Sequence, residues 1–172
     1  MLVVIFIIGI ISTLSIANYR RGQKQKLVAI AADTVTNAIR NAQNFSLTSR
    51  QIMASNCLQG NSPQSYLILF SSSQSMDLYA VDKCDDPFLI ESYHNPTGAQ
   101  MQNNGYRLDN SPVSSLQIKF TPPFARISAT VGNNANVGTF NTFTTATITV
   151  ESTDGQVEKT VTVDGVSGRI GE

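Results

Sequence analysis

The chain offers one histidine, two cysteines and twelve carboxylate residues, and their placement limits the chemistry open to it. His94 stands in a polar Tyr-His-Asn-Pro turn with no nucleophile-elbow pattern around any serine, so a serine triad lacks its base. A lone loop histidine of this kind is read as solvated. Asp82, Asp85 and Asp86 around Cys84 carry the hard oxygen ligands that calcium takes, but their spacing is not that of an EF-hand, and a solvated acidic turn is the simpler reading. Arg169 is a weak nucleic-acid candidate, because one arginine supplies little of the multi-contact electrostatics that nucleic acid requires. No phosphate-cradling glycine loop, dinucleotide fingerprint or H-E-x-x-H is present. No catalytic residue, metal ligand or cofactor is therefore expected, nor a small-molecule substrate.

Cys57 and Cys84 are the only cysteines, and without further ligands they make no zinc site. As a disulfide they would close a loop of about 27 residues, worth ~3 kcal/mol in the chain-entropy model, and would imply an oxidising compartment. Two free thiols are the alternative.

The elements that carry these residues begin with a long helix, read from Met1 to Met53. Met1 to Ala17 contains no charge, no proline and no aromatic residue except Phe6. A helix apolar on every side belongs in lipid or in a large core, and at ~1.5 Å per residue this one covers roughly 25 Å, the short end for a membrane span. Its lipid-facing or assembly residues are Leu2, Val3, Val4, Ile5, Phe6, Ile7, Ile8, Gly9, Ile10, Ile11 and Leu14. Further along, Val28, Ala31, Val35, Ala38, Ala42, Phe45, Ser49 and Ile52 alternate spacings of three and four, one helical stripe that is apolar at all but Ser49. Apart from Ser49, these are the expected helix-head packing residues. Lys26, Asp33, Asn37, Arg40 and Asn44 lie off that stripe. A signal peptide is the competing reading of the apolar run; no charged region precedes it, and the helical pattern continues where a cleavage site would fall.

Past Met53 the composition shifts to Asn, Ser, Gln and Gly, an exit loop. Short β-branched and aromatic runs bounded by turn residues follow at Tyr66–Phe70, Met76–Val81, Phe88–Tyr93, Ser115–Phe120, Arg126–Val131, Phe143–Glu151, Val157–Val163 and Val166–Ile170, as in an antiparallel meander. Asp154-Gly155 and Asp164-Gly165 are hairpin turn signals that make the C-terminus a three-strand unit. Residues 94–105 and 132–142, rich in Asn, Gln and Gly, read as solvated loops. Three parts result: 1–17, a transmembrane or filament-core segment; 18–53, the amphipathic part of the same helix; and 54–172, a β-rich head.

The residues LVVIFIIGIIS, then IANYRRGQKQK and the amphipathic helix, resemble the N-terminus of type IV pilins and pseudopilins, in which L-V-V-I follows a leader peptide, a processed phenylalanine and a glutamate. Leu2 to Ile5 match that L-V-V-I, and Met1 takes the place of the residue after the glutamate. LQIKF, TATITVES and KTVTVDGVSGRI resemble the C-terminal part of minor pseudopilins of the general secretion pathway H type, with Gly168-Arg169 as the closing Gly-Arg pair. The resemblance implies an α+β, type IV pilin-like fold: one long N-terminal helix packed on an antiparallel β-sheet head. It implies a structural subunit of a type IV pilus or a type II secretion pseudopilus, partnered by other pilin or pseudopilin subunits, an inner-membrane assembly platform and the lipid bilayer. A filament-tip binding module, for DNA uptake or surface adhesion, is the alternative. Some DNA-binding members have G-R-x-R where this chain has Gly168-Arg169-Ile170-Gly171.

Charge bears on both readings. Of twelve basic and twelve acidic residues, residues 1–50 hold six basic and one acidic, leaving six basic and eleven acidic for the head. An acidic head makes DNA an unlikely partner. Arg20, Arg21, Lys24 and Lys26 just past the apolar run suit anionic head groups, and by the positive-inside rule alone would hold the head in the cytoplasm. A basic leader, as the resemblance implies, would reverse that and place a single-pass chain with its head outside.

Overall fold

The computed structural model describes residues 2–49, 63–70, 72–132 and 139–171, with side chains described at Val4, Phe6 and from Asn18 onward. The helix α1 runs from Leu2 to Thr48. It stops short of the expected Met53, with Ser49 in the left-handed region at φ 45°, a conformation that closes many helices. Ile52 lies outside the described residues.

Ten strands follow: β1 Ser65–Leu69, β2 Ser75–Val81, β3 Pro87–His94, β4 Ala99–Leu108, β5 Ser111–Val113, β6 Gln117–Thr121, β7 Arg126–Thr130, β8 Thr145–Ser152, β9 Glu158–Asp164 and β10 Ile170–Gly171. They do not build the single sheet expected of a pilin-like head. Two five-stranded antiparallel sheets form instead, in the orders β3-β2-β1-β6-β7 and β10-β9-β8-β4-β5, and α1 packs against both. The fold is a two-sheet, sandwich-like α+β arrangement, and the pilin-like fold assignment is corrected accordingly.

The reason lies in β4. The Asn/Gln/Gly-rich stretch 94–105, expected to be a loop, supplies most of this ten-residue strand. Ala99 to Met101 pair with Ser152 to Val150, and Tyr106 to Leu108 with Ile148 to Ala146. Between those two sets the polar residues bulge out of the ladder, and a side chain at Gly105 would come within 2.7 Å of the Gln102 Cβ. The bulge hides the period-2 signal, yet the strand around it joins the C-terminal meander and makes it a separate sheet.

Elsewhere the pattern dictates the element. In β8, Ala146, Ile148, Val150 and Ser152 point inward and the intervening threonines and glutamate are half-exposed, the alternation of a sheet with one covered face. All five residues of β1 are buried, as a central strand requires. A single core joins helix residues with both sheets; the Phe70 and Tyr106 rings, from opposite sheets, meet at 5.9 Å between centroids.

Candidate assembly surfaces

The buried face of α1 is wider than one stripe. Val28, Ala31, Val35, Ala38 and Ala42 are buried, and Phe45 is half-buried with its ring 5.9 Å from that of Tyr66. Ala32, Thr36, Ile39 and Ser46 are buried beside them. A second row at the same spacing, Val28, Ala32, Val35, Ile39, Ala42 and Ser46, was present in the sequence. Two rows are needed because two sheets close on the helix, and alanine lets both approach it.

Polar contacts fix the helix at both ends of the head. Lys24 is ion-paired with Asp154 in the β8–β9 turn, and its Nζ also donates to the Gln156 Oε1 at 3.0 Å. The Asp154 carboxyl is held down to about 2, first by Lys24 and then by the Ser152 hydroxyl. Further along, Asn41 Nδ2 donates to the Tyr93 hydroxyl at 2.9 Å, and that hydroxyl donates to Glu91 at 2.6 Å. Gln43 Nε2 donates to the Gly168 carbonyl at 3.4 Å. Gly98, at φ 101°, sits where an added Cβ would lie 3.0 Å from Leu27.

Below Lys24 the head leaves the helix uncovered. Asn18 to Gln23 are exposed, and Tyr19, Gly22, Gln23, Lys26, Leu27 and Ile30 border an open groove of about 720 Å³. Val4 and Phe6 are also exposed, Phe6 at 71%. The side chains of Leu2, Val3, Ile5, Ile7, Ile8, Gly9, Ile10, Ile11 and Leu14 lie outside the description. Among the described residues no helix is long and apolar enough to cross a membrane.

The residues with possible chemistry are scattered. His94 is exposed at the end of β3. Asp82 is buried and caps its own turn, its Oδ1 accepting from the backbone N–H groups of Cys84 at 2.8 Å and Asp86 at 3.0 Å. That is a structural use of the carboxylate, and no group of three or more metal-ligating side chains occurs among the described residues. Cys84 is disulfide-bonded; Cys57, the only other cysteine of the chain, lies outside the described residues. Arg169 is exposed beyond the β9–β10 turn and makes no ion pair among the described residues. A crevice of about 410 Å³ lies between the sheets, with Ser72, Ser73, Asn103, Asn104 and Ser114 on its walls. Its lining offers hydrogen bonds but neither a base nor a charge to move a proton.

No protein-family model matches the chain, and no curated protein or solved structure matches it.

Proposed function

We propose that the chain is a structural subunit of a filament of the type IV pilus or type II secretion pseudopilus kind, held in the bacterial inner membrane by its N-terminal helix before assembly, with its head outside the cytoplasm. The observation that carries the reading is the division of one continuous helix. Val28 to Ser46 is locked into the head by two buried rows, while the segment before Lys24 extends beyond it, apolar from Met1 to Ala17. Such a segment exchanges lipid for like helices with little change in apolar burial, and Gly9, Ser12 and Ala17 permit close helix approach. The disulfide at Cys84 suits an external head.

The test is extraction and truncation. Full-length chain should remain with membranes through alkaline carbonate and leave them in detergent, and a chain beginning at Gln23 should be soluble with the same sheet content. A full-length chain freely soluble without detergent defeats the reading. Membrane anchoring without cross-links between cysteines placed along residues 2–14 would leave an anchored protein that forms no filament.

A further inference from the structure

Sheet order puts β3 and β7 at opposite edges of the first sheet, four inter-strand spacings or about 19 Å apart. Register puts their turns at the same end. Ser65 pairs with Val81 and Val81 with Pro87, while Tyr66 pairs with Phe120 and Thr121 with Arg126.

The two edges carry opposite charge. On β3 and the turn before it, Asp85, Asp86 and Glu91 are exposed together with Leu89, which is 57% exposed. Lys83 is the one cation of that turn. Across the sheet, Arg126 on β7 is exposed, as is Arg169 just before β10 of the other sheet, and neither makes an ion pair among the described residues. Arg126 lines a cavity of about 290 Å³ together with Leu47, Phe124, Val166 and Gly168, and Arg169 follows Gly168 in the chain. Phe124 and Val166 are 86% and 85% exposed. Asp164, the nearby carboxylate, accepts from the backbone N–H groups of Val166 at 2.9 Å and Ser167 at 2.7 Å and also feels the charge of Arg169, which leaves Arg126 as the cation open to a partner. Apolar side chains this exposed around one cavity mark a contact surface, and Arg126 among them specifies an acidic counterpart.

The geometry points to a heterologous contact between copies of this chain: the acidic β3 edge of one copy seats Leu89 against Leu47, Phe124 and Val166 of the cavity beside β7 of the next, with Asp86 and Glu91 facing Arg126. The head supplies that acidic counterpart itself. Patches on opposite edges but at one end of the sheet repeat without reversing the molecule, so successive copies stand side by side with their helices pointing the same way; an isologous pairing would use one patch twice and close after two copies. The contact takes its setting from the filament reading above and gives it a lateral interface in the heads.

Sedimentation of the full chain in detergent, at low and moderate salt, tests it with two charge reversals at exposed positions, Asp86→Arg and Arg126→Glu. Each alone should weaken self-association at least tenfold while circular dichroism stays unchanged. An equimolar mixture of the two variants should restore it, because native and reversed contacts then alternate along the row. Single variants that associate like the parent, or a mixture that fails to recover, overturn the contact. If the copies still cross-link through residues 2–14 in that case, the filament reading stands without this interface; a parent chain that is monomeric in detergent and uncross-linked in membranes overturns both.

Discussion

Lys24 on the helix is ion-paired with Asp154 in the β8–β9 turn, a contact between residues 130 positions apart. It marks the level at which the helix enters the head. The folded Asp154 carboxyl lies at about 2, below its ordinary 3.8, so its contribution to stability is present above the ordinary value and is lost as pH falls from there toward 2. Asp164, lowered chiefly by the Ser167 and Val166 backbone N–H groups, acts in the same direction. Thermal melts of the parent should show a decline across that window, and Asp154→Asn should show a shallower one. Both residues of the pair reach solvent, so added salt should reduce the difference; identical pH profiles for the two proteins would rule out this role.

Substitutions along the helix should separate its faces. Ala38→Glu or Ala42→Glu places an unpaired carboxylate in a fully buried site and should cost at least ~3 kcal/mol. Asn37 is exposed, and Asn37→Glu should change stability by less than ~0.5 kcal/mol. Asn41 has the same residue type but is half-buried and bonded to Tyr93, so Asn41→Ala should cost ~1 kcal/mol. Urea midpoints check all four variants, and an Asn41 variant as neutral as the Asn37 one would show the Tyr93 bond to be unimportant.

Three phenols should titrate late, Tyr79 being raised by burial and by the Asp77 charge. Burial pushes Tyr93 and Tyr106 up to about 12. Their folded values exceed the ordinary 10, so the stabilisation they give is intact below pH 10 and disappears as pH rises toward 12. Ultraviolet titration of the five tyrosines should resolve a delayed group. Asn41→Ala, which removes a donor to the Tyr93 phenolate, should delay it further; a single transition near 10 for all five would contradict the burial assigned to these rings.

The remaining covalent prediction concerns Cys84, which is disulfide-bonded. Non-reducing digestion should yield one peptide joining it to Cys57, and reduction should lower stability by about 3 kcal/mol if loop closure dominates. Recovery of both thiols in alkylated form without reductant would refute the bridge.

The helix and most strands were legible because each carries its own period. Val28 to Ala42 repeats at three and four, Thr145 to Ser152 alternates strictly, and Asp154-Gly155 and Asp164-Gly165 announce the turns between β8, β9 and β10. What the pattern concealed is non-local. Gln102 to Gly105 interrupt β4 with residues that resemble a loop in isolation, so neither that strand nor the sheet it joins could be counted. The cavity beside β7 was concealed in the same way: Phe124 and Val166 are 42 positions apart in number and line one cavity only because two separate turns arrive at the same place in the head. Ala32, Ile39 and Ser46 were readable as a second row, yet its significance depends on there being a second sheet to receive it.

The alanine-lined wall from Val28 to Ser46 has a further consequence for how the chain folds. Ile68 and Ile118 of one sheet and Ile148 and Val161 of the other belong to one continuous core with that wall, so neither sheet owns an interior it could keep alone. Removing the helix would strip both at once, and the head should melt as one cooperative unit rather than sheet by sheet. Ala99 must also find Ser152 before the second sheet is complete, a closure over many intervening residues that makes folding slow relative to the helix itself. The helix is then the template on which two otherwise incomplete sheets finish.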